Sequence, residues 1–204
     1  MRTYKQLLVA ALMLLASALG AEALTMKDFV LSQSIAGGVG EMIPANDGNN
    51  YYELSDDCSR IVKRSYRTGE DVAVVFNSAT ARDCKVDYWE GFEMSDDEMW
   101  ILLWTNKEKI YRHSFKADYY VYEVRHNKLT KLSDAGGEEI ATMSPDARMV
   151  AFVKDNNVFV RKLEYGTVVP VTTDGKRNEI INGVPDWVYQ EEFGLLNGLA
   201  WSPD

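Results

Sequence analysis

Two glutamates stand next to each other at Glu191 and Glu192, inside the stretch DWVYQEEF from Asp186 to Phe193. Trp187 and Tyr189 come just before them. Crowding two carboxylates beside that much apolar surface is an electrostatic cost unless a cation offsets it. In a strand the two side chains would point to opposite faces. In a helical turn they stand about 100° apart, so both can reach one small cation. A primary ammonium, with three N–H donors, suits such a pair. The alternative is two solvated glutamates on a surface turn, and on spacing alone that arrangement is the commoner one.

Other candidates for chemistry are few. The chain has two histidines, His113 and His126, and no G-x-S-x-G nucleophile elbow. Two histidines and two separated cysteines do not make a zinc site. The glycine-rich AGGVGE at 36–41 lacks the Lys-Ser/Thr continuation of a phosphate loop. No cofactor or metal is therefore implied. Cys58 and Cys84 could form one disulfide or remain two buried thiols. The spacing leaves both open, because the Cα separation decides it.

The 204 residues are 46% hydrophobic and 26% charged, an ordinary globular balance. The N-terminus reads as an export signal over residues 1–23. Arg2 and Lys5 precede the apolar run LLVAALMLLASAL, and small residues at Gly20, Ala21 and Ala23 suit cleavage after Gly20 or after Ala23. That run is short for a membrane-spanning helix, so an uncleaved anchor is the lesser alternative. With no cysteine near the cleavage site, a lipid anchor is not supported. Cleavage after Ala23 removes Arg2, Lys5 and Glu22, and the formal charge moves from −9 to −10. Such an acidic chain is a poor partner for nucleic acid or an anionic membrane.

The elements that must position the glutamates are strands. YYEL (51–54), RIVKRSY (60–66), DVAVVF (71–76), WILLWT (100–105), YYVYEV (119–124), MVAFV (149–153), VFVRKL (158–163) and VVPVT (168–172) are short and rich in β-branched and aromatic residues. FVKDNNVFV predicts a hairpin turning at Asp155, Asn156 and Asn157, and YEVRHNKLTKL a second one near His126-Asn127. The exception is a short helical turn around 188–193. A faint repeat links the strands: SDD at 55–57 and 95–97, SPD at 144–146 and 202–204. Each begins a tight turn whose last Asp can accept hydrogen bonds from nearby amides. Too few alternating oxygens accompany them for calcium loops. Repeats of this length predict antiparallel propeller blades rather than a sandwich. The sequence stops at WSPD, inside a repeat unit, and so reads as the first part of a propeller.

INGVPDWVYQEEF and YRHSFKADYYVYEV, with the repeats and their order, resemble the propeller domain of the dipeptidyl peptidase IV family of serine exopeptidases. In that family an Asp-Trp-Val-Tyr-Glu-Glu-Glu segment forms a short projecting helix, and its last two glutamates hold the free N-terminal amine of a peptide. The resemblance puts Glu191 and Glu192 in that role. The family's first glutamate is Gln190 here, a position that is not an amine ligand. The Arg-His-Ser at 112–114 matches a family motif whose arginine binds the carbonyl between the first two substrate residues, which puts Arg112 there. The family's α/β-hydrolase domain, with its G-W-S-Y-G serine, is not in this sequence.

The resemblance implies an all-β partial propeller over 24–204 after the signal peptide. It also implies an exported enzyme (periplasmic, cell-surface or secreted) that releases X-Pro or X-Ala dipeptides, with no membrane span in the mature chain. Its partners would be peptides with a free N-terminus, and the family expectation is a homodimer. On these 204 residues alone it should bind substrate poorly and catalyse nothing. Trp187 and Tyr189 are expected to pin the short helix by packing, and His113 to be structural. The rivals are a periplasmic propeller that only binds proteins or peptides, and an inactive relative.

Overall fold

A computed structural model describes residues 40–203, and the proposed signal peptide lies outside them. Among the described residues thirteen strands form three sheets. The first contains β1 (Ile43–Pro44), β2 (Asn50–Leu54), β3 (Arg60–Ser65) and β4 (Asp71–Asn77) in sequence order. The third contains β10 (Ile140–Met143), β11 (Met149–Lys154), β12 (Asn157–Lys162) and β13 (Thr167–Pro170), again in order. Between them lie β6 (Gly91–Met94), β7 (Trp100–Lys109), β8 (Phe115–Glu123) and β9 (Lys128–Lys131) as an antiparallel meander. The two-residue β5 (Arg82–Asp83) joins the outer edge of β9 in parallel. Four-stranded antiparallel meanders following one another are propeller blades.

The middle sheet is buried on both faces, which explains why WILLW is a continuous apolar run. Ile101, Leu103, Tyr120 and Tyr122, with Phe92 of the same sheet, pack toward the first sheet, against Tyr52, Ile61 and Phe76. Leu102, Tyr119 and Val121 pack toward the third sheet, against Val150 and Phe152. Successive residues of β7 and β8 thus feed two different cores, as the two-residue period of a strand requires.

The Ser-x-Asp repeat marks the same corner in each sheet. Ser55, Ser95 and Ser144 follow β2, β6 and β10; each backbone amide donates to the carbonyl of the residue five ahead, and each hydroxyl accepts from that residue's amide. The same hydroxyls donate to Asp57, Asp97 and Asp146 at 2.5, 2.6 and 2.7 Å. Each turn places one non-glycine residue in the left-handed region: Cys58, Glu98 and Ala147, at φ 54°, 57° and 53°. The predicted equivalence is therefore structural. Asp204, the last residue of the fourth copy, lies outside the described residues.

The hydroxyl of Ser55, helped by Ser59, holds the Asp57 carboxyl down at about 2. Ser144 and the Arg148 amide depress Asp146 in the same way. A carboxyl depressed by folding contributes stability that is complete above the ordinary carboxylate range and is lost as pH falls through the folded value. The melting temperature is therefore expected to fall between about pH 4 and pH 2, and more shallowly in Asp57→Asn. Parallel acid limbs for the two proteins would rule out this turn as a contributor.

Two predicted elements differ in extent. β7 and β8 run past the apolar residues, because Glu108 pairs with Lys116 and Lys109 with Phe115 beyond a bulge between Thr105 and Glu108. Asn106, at φ 54°, absorbs the extra twist. The β11–β12 turn uses only Asp155 and Asn156, both left-handed at φ 48° and 61°, while Asn157 already pairs with Lys154. That is the two-residue hairpin whose twist matches its strands. Cys58 and Cys84 are both free and partly buried. Among the described residues no helix is long and apolar enough to cross a membrane.

Candidate functional site

Beyond β13 the chain makes an excursion whose neck is closed by the Gly198 amide donating to the Gly183 carbonyl at 3.0 Å. A side chain at Gly183 would meet Val153, Leu199 and Val158, and its φ of 77° favours glycine. Within the excursion lies α1 (Trp187–Glu192). Asp186 caps it, with Oδ1 accepting from the Tyr189 amide at 3.2 Å. It stops at Gly194, whose left-handed φ of 64° lets the Leu195 amide turn back to the Tyr189 carbonyl at 3.1 Å.

The second component arrives on the tip of the β7–β8 hairpin. The Ile110 and Tyr111 amides both donate to the Ser114 carbonyl, at 2.9 and 3.3 Å, and this closes the loop that carries Arg112. The extension of β7 and β8 beyond the core is what lets this loop reach α1.

The two pieces meet through one carboxylate. Glu191 Oε1 accepts from the Arg112 backbone amide at 2.8 Å, and Oε2 lies 3.3 Å from Arg112 Nε. The Glu191 side chain is 7% exposed and that of Arg112 69% exposed. The acid is therefore fixed and covered, while the guanidinium rests its inner edge on it and presents its outer edge to solvent. Glu192 is exposed, and its side chain makes no hydrogen bond or ion pair among the described residues. Arg112 and Glu191 thus meet although 79 positions separate them, and Glu192 follows Glu191 on α1.

Two carboxylates and one guanidinium carry a net single negative charge. That balance suits a monocation. The free carboxylate accepts from an ammonium, and the outer guanidinium N–H groups can donate to a carbonyl nearby. A ligand with an amine and a carbonyl a few bonds apart could use both groups.

The packing expected of Trp187 and Tyr189 is corrected by the structure. Both are exposed, at 55% and 51%. Tyr189 touches only the ring of Phe193, at 5.7 Å, among the ring contacts of the described residues. The buried residue of α1 is Gln190, at 3% exposure. Its Nε2 donates to the Pro185 carbonyl at 2.6 Å. Sequence reasoning passed over it because a glutamine between tyrosine and glutamate carries no apolar signal. Gln190 and Trp187 border a cleft of about 810 Å3 that continues past Tyr111, Lys109 and Arg177. His113 is exposed on the Arg112 loop, and His126 pairs with Glu123 at the β8–β9 turn. Among the described residues no three His, Cys, Asp or Glu side chains group as metal ligands.

Comparison with known proteins converges on one group. The family model described as the dipeptidyl peptidase IV N-terminal region matches residues 95–204, which include Arg112, Glu191 and Glu192. A probable dipeptidyl-aminopeptidase B of Emericella nidulans is 40% identical over 110 residues, covering 52% of this chain and 12% of its own length. Its counterpart from Tuber melanosporum is 41% identical over 120 residues, covering 54% of this chain and 13% of its own. The crystal structure of Porphyromonas gingivalis dipeptidyl peptidase 4 superposes with a TM-score of 0.79 at 41% identity, covering 87% of this chain and 26% of that one. The chain thus spans about an eighth of these curated relatives' length and about a quarter of the solved structure.

Proposed function

The chain belongs to the dipeptidyl peptidase IV family, and on that premise we propose that it is the amine-recognising propeller part of an exported serine dipeptidyl peptidase that releases X-Pro and X-Ala dipeptides. The observation that carries the proposal is the meeting of Arg112 with Glu191 beside an unpaired Glu192. A peptide ammonium lies between Glu191 and Glu192, and Arg112 donates to the carbonyl after the first residue. The two contacts fix the substrate from its N-terminus, so the second peptide bond falls at a set distance from the carboxylates. A serine on the hydrolase part of the complete gene product attacks that bond and forms an acyl-enzyme. An N-terminal block removes the ammonium and leaves the carboxylates facing a neutral group, which is a large penalty at a site built for a charge.

The test compares hydrolysis of a Gly-Pro chromogenic substrate and its N-acetylated twin by the complete gene product. Cleavage of the free amine alone is expected. Equal cleavage of both would remove the clamp from the reading, and cleavage of neither would favour a propeller that only binds.

A further inference from the structure

We propose that Gln190 is a positioning residue that aims the carboxylate pair, an inference that rests on the amine-binding role given above to Glu191 and Glu192. The helix is held by very little. Of its six residues only Gln190 is buried, while Trp187, Val188 and Tyr189 are 44–55% exposed. The one other fixed side chain is Glu191, tied to Arg112. A helix of this length has no stability of its own, so its direction is set by these tethers.

The chemistry of Gln190 is not that of a packing residue. Its Nε2 donates to the Pro185 carbonyl at 2.6 Å, and its own amide donates to the Asp186 carbonyl at 3.1 Å. Its Oε1 is buried and has no hydrogen-bond partner among the described residues. A buried carbonyl oxygen without a donor is destabilising. Methionine or leucine would fill the same space without that penalty. What an apolar side chain would not supply is the N–H that ties the chain entering α1 to the first residue of the glutamate triplet position.

The neck of the excursion is already fixed by the Gly198–Gly183 hydrogen bond. The Pro185–Gln190 bond therefore sets the angle of α1 within the excursion rather than the attachment of the excursion. Glu191 has a second restraint in Arg112, but Glu192 has none among the described residues. An angular error at Gln190 passes undiminished to Glu192, and displacements on the order of 1 Å are enough to lower a rate substantially.

The experiment uses the complete gene product with Gln190→Met, which keeps length and loses the donor, and Gln190→Asn, which keeps the amide one methylene too short to reach Pro185. Melting temperature, kcat, KM and the preference for Gly-Pro-p-nitroanilide over its N-acetyl twin are read for each. For Gln190→Met the melting temperature is expected to be unchanged or higher. In both variants KM should rise about tenfold with kcat within about twofold, and the free-amine preference should fall about tenfold. Either variant, if folded, suffices. Unchanged KM and preference overturn the proposal, as does a lowered melting temperature with unchanged KM, the mark of simple packing. Glu192→Gln separates the two levels. If it abolishes the free-amine preference while the Gln190 variants keep it, positioning alone fails. If it leaves the preference intact, the amine reading fails.

Discussion

Replacing Glu191 by glutamine is expected to lower kcat/KM for a free-amine dipeptide substrate by about a hundredfold, near the upper end of the roughly 1.5–3 kcal/mol that a hydrogen bond to a charged group is worth. Glu191 accepts from the Arg112 amide at 2.8 Å and faces Arg112 Nε at 3.3 Å. Glutamine has one acceptor oxygen, so its NH2 group must face one of these two donors. The loss therefore includes the substrate ammonium and the placement of Arg112. Glu192→Gln should cost a similar factor, but mainly in KM, because among the described residues no group pairs with the Glu192 side chain. The coupling is the sharper test. If Glu191 positions the guanidinium, Arg112→Ala and Glu191→Gln share part of their effect, and the double variant loses less than the product of the two single losses. Near-normal activity of Glu191→Gln would refute the assigned role. Strictly multiplicative losses would show that the ion pair is incidental to binding.

What the sequence conveyed about this site is uneven in a physically instructive way. The eight strands read from it stand at or next to the expected residues, because each is long enough to show β-branched and aromatic enrichment. GFEM and IATM, which form β6 and β10, carry no comparable signal. They are the four-residue entry strands of their blades, and each mixes Met with Gly, Glu or Ala, residues that carry little strand enrichment. The Ser-x-Asp turns were legible because a turn constrains residue types locally. The contact between Arg112 and Glu191 was not legible from residue types, since it depends on the polar extension NKEK of β7 pairing with the start of β8. Only the family motifs placed both residues in one site. The burial of Gln190 was the plainest miss. Helical periodicity makes apolar residues the candidates for the inner face, yet here the aromatic residues face out and an amide faces in.

Trp89→Ala is the substitution expected to cost most in stability, about 3–5 kcal/mol as for other aromatic truncations in cores. Trp89 is fully buried. It stands edge-on to Phe76 at 5.6 Å and to Tyr120 at 5.2 Å, so its ring is a wedge between the first and second sheets. Its Nε1 donates to the buried Ser78 hydroxyl at 2.8 Å, and its amide donates to the Cys58 carbonyl at 3.0 Å. Alanine removes the wedge, leaves a cavity that both sheets border, and strips Ser78 of its partner. Against a total stability of typically 5–15 kcal/mol, that is a large fraction. Trp89→Phe keeps an aromatic wedge and loses mainly the hydrogen bond, so a smaller loss of roughly 1–3 kcal/mol is expected. Urea midpoints for the two variants check the order, and a loss below about 1 kcal/mol for Trp89→Ala would show that the sheets are not joined there. The folded fraction of Trp89→Phe should keep its KM, because Arg112 leaves the second sheet on the far end of β7 and β8, beyond the bulge at Thr105. A raised KM in that variant would mean instead that the core between the first two sheets sets the angle of the hairpin, and with it the grip of Arg112 on Glu191.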